Sequence, residues 1–191
     1  QQDNALDFAR VDLGRPERTG FPEAIYCPGK TPGQIAQIAT KLVAAGQTVL
    51  ATKANIEAYR AVKDVIPNAE FNELASMVIV PSPDVPTLAG QVLVLTGGTS
   101  DRPIAEEAAI TAEKYGAAVT RLWDVGVAGL HRLLSQRHEI DKATVLIAVA
   151  GMEGALPSVA SGLSNAPVIA VPTSVGYGAS FNGLAALLAM L

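Results

Sequence analysis

Val145-Leu-Ile-Ala-Val-Ala-Gly-Met-Glu-Gly-Ala-Leu-Pro-Ser-Val-Ala-Ser-Gly-Leu163 opens as an apolar run of strand length, breaks at Gly151 and Gly154, and turns helical after Pro157. It reads as strand, tight turn, helix. In an open parallel sheet such a turn lies at the carboxyl end of a strand, where ligands bind. Glu153 is the ionisable side chain of the stretch. A carboxylate between two glycines, beside the positive end of a helix, is placed to hold or move a proton. The turn alone equally allows an ordinary first-turn acid favoured by the helix dipole.

Working outward, the same alternation recurs on both sides. Val92-Leu-Val-Leu-Thr96 is a buried strand, followed by Gly97-Gly-Thr-Ser-Asp101 and a helix from about Pro103 to Tyr115. Ala117 to Leu122 is the next strand and Val127 to Gln136 the next helix, and Pro167-Val-Ile-Ala-Val171 receives the crossover from Leu163. Strands joined by single helices predict a parallel sheet covered on both faces, a three-layer α/β/α domain. Glycines at 176, 178 and 183 mark a further loop at the carboxyl edge, before an apolar helix from about Asn182 to the last residue. That helix lacks a stop signal, so the natural chain is expected to continue past Leu191.

Towards the amino end, Thr31-Pro-Gly-Gln opens a helix with apolar positions Ile35, Ile38, Ala39 and Leu42, ending at Gly46. Thr48 to Thr52 is a short strand, Asn55 caps a helix to about Val65, and Met77-Val-Ile-Val80 is a strand. The proline-rich Pro81-Ser-Pro-Asp-Val-Pro86 is the expected boundary. Residues 1–32 are read as an extended lead-in, 33–85 as a small α/β unit and 86–191 as the three-layer domain. Within the lead-in, Arg18 and Lys30 are candidate anion contacts on a segment restrained by Pro and Gly, against the alternative of a solvated arm.

The 191 residues carry a formal charge of −4 and are 49% hydrophobic, with 17 Gly and 12 Pro. This balance suits a sheet protein with many turns and argues against nucleic acid as a partner. One Cys excludes an internal disulfide and, with two His, disfavours a structural metal site. No apolar run reaches membrane-span length and the amino terminus is polar, so a cytoplasmic protein, without a membrane partner, is expected. The sequence opens without an initiator Met, which suggests a piece of something longer.

Three loops should share one sheet edge: 96–101, 124–132 and 150–158. Gly97 and Gly98 let backbone approach a ligand closely, while Thr99, Ser100 and Asp101 offer hydroxyls and a carboxylate before a helix start, suiting a phosphate or ribose. A capped turn would look the same taken singly; convergence of the loops favours a site. His131 and Arg132 fall inside a predicted helix, where a lone His is more often structural. Cys27 shows no sign of activation.

Gly97-Gly-Thr-Ser-Asp101, Gly129-Leu-His-Arg132 and Ala150-Gly-Met-Glu-Gly-Ala-Leu-Pro-Ser158 resemble the aminoimidazole ribonucleotide carboxylase (PurE-like) fold, a parallel flavodoxin-like sheet. That family carries its catalytic histidine where this chain has Ala155, and Glu153 stands two residues earlier. With Arg18-Thr-Gly-Phe-Pro-Glu-Ala-Ile-Tyr-Cys-Pro-Gly-Lys30 and Val171-Pro-Thr-Ser-Val-Gly-Tyr-Gly178, these departures resemble the LarB family, which includes the circadian phase modifier CpmA. The resemblance implies carboxylation of the pyridinium ring of nicotinic acid adenine dinucleotide with carbon dioxide, and hydrolysis of its anhydride to release AMP, towards a nickel-pincer cofactor. It makes Glu153 the base and places Gly97, Gly98, Thr99, Ser100, Asp101, Gly129, His131, Arg132, Gly151, Met152 and Gly154 around the nucleotide. It further implies a homo-octamer, no tightly bound cofactor, and a nucleophilic Cys just after Leu191, and leaves open whether a divalent metal such as magnesium assists the hydrolysis. The alternatives are a nucleotide-binding regulator of the CpmA kind and, third, a ribonucleotide mutase.

Overall fold

The computed structural model describes residues 5–191. The chain divides into two compact units, Gln1–Pro86 and Thr87–Leu191.

In the first unit, strands β1 (Ala5–Leu6) and β2 (Ala9–Arg10) pair antiparallel, followed by helix α1 (Arg15–Thr19). Strand β3 (Ile25–Tyr26), helix α2 (Pro32–Ala44), strand β4 (Val49–Thr52), helix α3 (Ile56–Val65), strand β5 (Glu70–Asn72) and strand β6 (Met77–Val80) complete it. The sheet order is β3-β4-β6-β5, with β3 and β4 parallel and the other pairs antiparallel. Helix α2 starts where the sequence says it should: the Thr31 hydroxyl accepts from the Gln34 amide, and the Gln34 side chain accepts from the Thr31 amide. Asn55 caps α3 by accepting from the Ala58 amide. Ile35, Ile38, Ala39 and Leu42 of α2 pack with Ala58 and Val62 of α3 against Val49, Ala51, Val78 and Val80.

The segment expected as an extended lead-in carries structure of its own. Residues 1–4 lie outside the described residues. Beyond them the α1 helix ends at Gly20 in the left-handed conformation, and Ile25 and Tyr26 join the sheet beside Ala51 and Thr52. Two residues show no periodicity, so a strand defined by its partner is invisible before the partner is known.

The second unit holds strand β7 (Gln91–Thr96), helix α4 (Arg102–Lys114), strand β8 (Ala118–Leu122), helices α5 (Leu130–Ser135) and α6 (Arg137–Lys142), strand β9 (Val145–Ala150), helix α7 (Leu156–Leu163), strand β10 (Val168–Pro172) and helix α8 (Leu184–Met190). The sheet is fully parallel in the order β10-β9-β7-β8. Alternation along each strand sorts side chains to two faces. Val92, Val94 and Val149 meet Ala105 and Ala109 of α4 on one face. Leu93, Leu95, Leu146 and Ala148 meet Leu133, Ile140, Leu156 and Ala160 of α5, α6 and α7 on the other. This is the expected α/β/α layering, and each fully buried leucine contributes about 2 kcal/mol. The helix expected to end at Gln136 becomes two, because Gln136 leaves helical geometry at φ −100° and ψ 17° and α6 restarts from Arg137. The last helix starts at Leu184, not Asn182, since Asn182 and Gly183 are left-handed. Among the described residues no helix is long and apolar enough to cross a membrane.

Candidate functional site

A parallel sheet sends every strand out at the same edge, so the loops after β7, β8, β9 and β10 meet there. They enclose a cleft of about 510 Å³. Turn residues Gly97, Gly98, Thr99, Ser100 and Asp101 form one wall, at the amino end of the 13-residue helix α4 where the helix dipole favours an anion. Asp124 and Gly126 come from the loop after β8 and Arg132 from α5, Gly151, Met152 and Glu153 from the loop after β9, and Val175, Gly176 and Tyr177 from the loop after β10.

Asp101 is buried, and its carboxylate is taken up by the protein. One oxygen accepts from the Gly98 amide at 2.9 Å, and the other accepts from the Thr173 hydroxyl at 2.7 Å. Thr173 follows β10 directly, so this carboxylate ties the turn of β7 to the loop of β10. Its part in the site is to hold Gly98 in place, which differs from the free ligand-facing carboxylate that the sequence suggests. Arg132 forms an ion pair with Asp124, which stands at φ 59° after β8 and whose amide donates to the Thr96 hydroxyl at 2.9 Å. Glu153 is the exposed acid of the cleft wall.

The glycines divide into two groups. A methyl group at Gly151 would stand 1.9 Å from the Val175 carbonyl oxygen, and one at Gly126 would stand 2.4 Å from that of Gly97. These residues weld neighbouring loops together. Gly98 is open by comparison: its backbone is extended (φ −134°, ψ 174°), and the nearest atom to an added methyl is Asp101 Oδ2 at 3.8 Å.

Of the residues expected around a nucleotide, Gly97, Gly98, Thr99, Ser100, Asp101, Arg132, Gly151 and Met152 line the cleft with Glu153. Gly129, His131 and Gly154 do not. Gly129 is buried beneath the Arg132 guanidinium, 2.5 Å from its Nε to an added methyl, and so makes room for that side chain. His131 is exposed; consecutive helical residues point about 100° apart, so it cannot share the direction of Arg132. Gly154, at φ 67°, packs on the Ala186 carbonyl of α8. Asp124, Thr173 and Tyr177 lie in loops expected at this edge but were not singled out as site residues. The signal for the last two was the fourth parallel strand, whose loop must reach the same edge.

Arg18 and Lys30 belong to the first unit. Arg18 pairs with Asp12 at 2.7 Å, and Lys30 donates to the Tyr26 carbonyl at 2.7 Å. Lys30, Lys53 and Cys27 border a smaller cavity of about 190 Å³ there. Burial pushes the Cys27 thiol up to about 11.

The fully parallel sheet with a glycine-lined cleft at its carboxyl edge defines an α/β protein of the PurE-like kind. Residues 3–82 match the LarB/PurE-like N-terminal domain family and residues 91–191 the AIR carboxylase family. The chain belongs to the LarB family. An uncharacterized protein of Methanocaldococcus jannaschii is 39% identical over 190 residues, covering 94% of this chain and 73% of the relative. The N5-carboxyaminoimidazole ribonucleotide mutase of the same organism is 38% identical over 100 residues, 51% of this chain and 59% of the mutase.

Proposed function

We propose that the chain carries the cleft of a LarB-type carboxylase and hydrolase acting on nicotinic acid adenine dinucleotide and carbon dioxide. The observation that carries this reading is that Glu153, an exposed carboxylate, shares one cleft with the turn Gly97 to Asp101. An electron-poor pyridinium does not attack carbon dioxide. Addition of a thiolate to the ring makes the neighbouring carbon enamine-like, and that carbon forms a new bond to carbon dioxide. The carbon now bears both hydrogen and carboxylate; Glu153 takes the proton, and departure of the thiolate restores the aromatic ring. Water then cleaves the phosphoanhydride, releasing AMP and the carboxylated mononucleotide. The turn at the start of α4 and the Arg132 guanidinium hold phosphate oxygens.

Asp101 and Asp124 are each committed to protein partners, and among the described residues no group of three or more His, Cys, Asp or Glu could hold a metal ion. The residues therefore do not fit a cage for magnesium, and an ion at the anhydride would be held through substrate oxygens. The Ala/Leu-rich helix α8, with Leu184, Leu187 and Leu188 exposed, supports packing against another copy of the chain; the homo-octamer itself is what the family resemblance implies.

A nucleotide-binding regulator of the CpmA kind, using the same cleft without turnover, is the second reading, favoured by one observation: among the described residues no cysteine lines the cleft beside Glu153. A ribonucleotide mutase has less support, because Ala155 lines the cleft and His131 does not. The discriminating experiment incubates the full-length natural chain with nicotinic acid adenine dinucleotide and bicarbonate. AMP release with a carboxylated mononucleotide supports the enzyme. Tight nucleotide binding without either product supports the regulator, and binding of neither AMP nor dinucleotide overturns both.

A further inference from the structure

Tyr177 is 79% exposed, yet it lines the cleft, where the loop after β10 meets the turn after β9. Beside it stands Met152, 39% exposed and in the left-handed conformation at φ 53°. The two loops are joined by backbone: the Met152 amide donates to the Val175 carbonyl at 2.9 Å, and the Gly151 Cα leaves no room for a side chain against that same carbonyl. A methyl group on Gly176 would lie 3.3 Å from the Met152 Cα. Residues 152 and 177 are thus carried on one welded piece of backbone.

An exposed phenol ring and a polarisable thioether on a cleft wall offer a flat, apolar surface on which a planar ring can stack. The cleft supplies the opposite character elsewhere, with the Gly97 to Asp101 turn and Arg132. Such a division suits a ligand with an anionic group at one end and a flat ring at the other.

We propose that Tyr177, assisted by Met152, is the platform on which the heteroaromatic ring of the ligand stacks, making residue 177 the determinant of preference for ring-bearing over ring-free ribose phosphates. The inference rests on the reading of the cleft as a nucleotide site and goes beyond it by assigning the ring end. Stacking on an aromatic face tolerates different rings, so the same platform could accept adenine or pyridinium; the ligands of the test separate them.

Calorimetry on the full-length chain with AMP, nicotinic acid mononucleotide and ribose 5-phosphate provides that test. The wild type is expected to bind at least one ring-bearing ligand about tenfold more tightly than ribose 5-phosphate. Tyr177→Ala is expected to weaken that ligand about tenfold and to change ribose 5-phosphate less than about twofold, while Tyr177→Phe keeps the preference. The ring whose affinity falls is the one that stacks. Equal losses for ring-bearing and ring-free ligands, or no loss for either ring, overturn the assignment of Tyr177 and leave the cleft reading intact. Failure of the wild type to bind any of the three overturns both.

Discussion

Cys27 shows how one residue's surroundings decide what it can do. It sits 5% exposed at the end of β3, among Ile25, Ile35 and Ala54, and burial disfavours the thiolate there. The thiol is pushed from an ordinary 9.0 to about 11, so the folded chain holds its proton where the unfolded chain has already lost it. Stability from this site is therefore complete below pH 9 and lost as pH rises towards 11, by up to about 2 kcal/mol. Chemical denaturation of wild type and Cys27→Ala from pH 8 to 11 checks this: the wild type should lose the extra stability across that window and the variant should not. The same burial predicts negligible modification of Cys27 by a thiol reagent at pH 7 in the native state. At the cleft, Asp101 illustrates the reverse, a buried carboxylate made tolerable by the Gly98 amide and the Thr173 hydroxyl.

At the scale of elements, the cleft depends on loops held against one another. Gly151→Ala would force its methyl into the Val175 carbonyl, so a loss of about 2 kcal/mol or more in stability is expected, together with weakened nucleotide binding. Gly98→Ala meets no such clash, and its extended backbone suits any residue. Its stability should stay within about 0.5 kcal/mol of wild type while AMP affinity falls at least tenfold, because a side chain there intrudes on the cleft wall. Thermal melts paired with calorimetry separate the two variants; equal destabilisation by both would contradict this division of the glycines.

That division also marks how far the sequence could be read. Strands β7 and β9 were legible because burial on both faces makes them continuous apolar runs between turn residues, and their glycine turns followed directly. Strands β3 and β5 were not, since Ile25-Tyr26 and Glu70-Phe-Asn72 become strands through their partners β4 and β6. The break between α5 and α6 rests on one residue, Gln136, that bears no breaker signature. In the site, the turn 97–101 and Glu153 were visible from local pattern. The contacts of Gly126 with Gly97, and of Asp101 with Thr173, join residues far apart in sequence, and no local pattern encodes them.

For the whole molecule, exposed apolar surface and the cleft make separate demands. Leu184 and Leu188 of α8 are 50% and 63% exposed, with Phe181 72% exposed just before them. A patch of this kind is expected to be covered by another copy of the chain. Leu188→Glu should leave unfolding stability within about 0.5 kcal/mol per protomer at fixed assembly state, yet shift light scattering from the proposed octamer of the wild type to smaller species; an unchanged mass would remove α8 from the interface. The catalytic reading turns on the acid between Gly151 and Gly154, and the most direct measurement compares full-length wild type with Glu153→Gln for AMP binding and for formation of carboxylated mononucleotide from nicotinic acid adenine dinucleotide and bicarbonate. The variant should bind AMP within about threefold of wild type and form product at least about 100-fold more slowly. Product formation within about tenfold of wild type would contradict the assignment of Glu153 as the base.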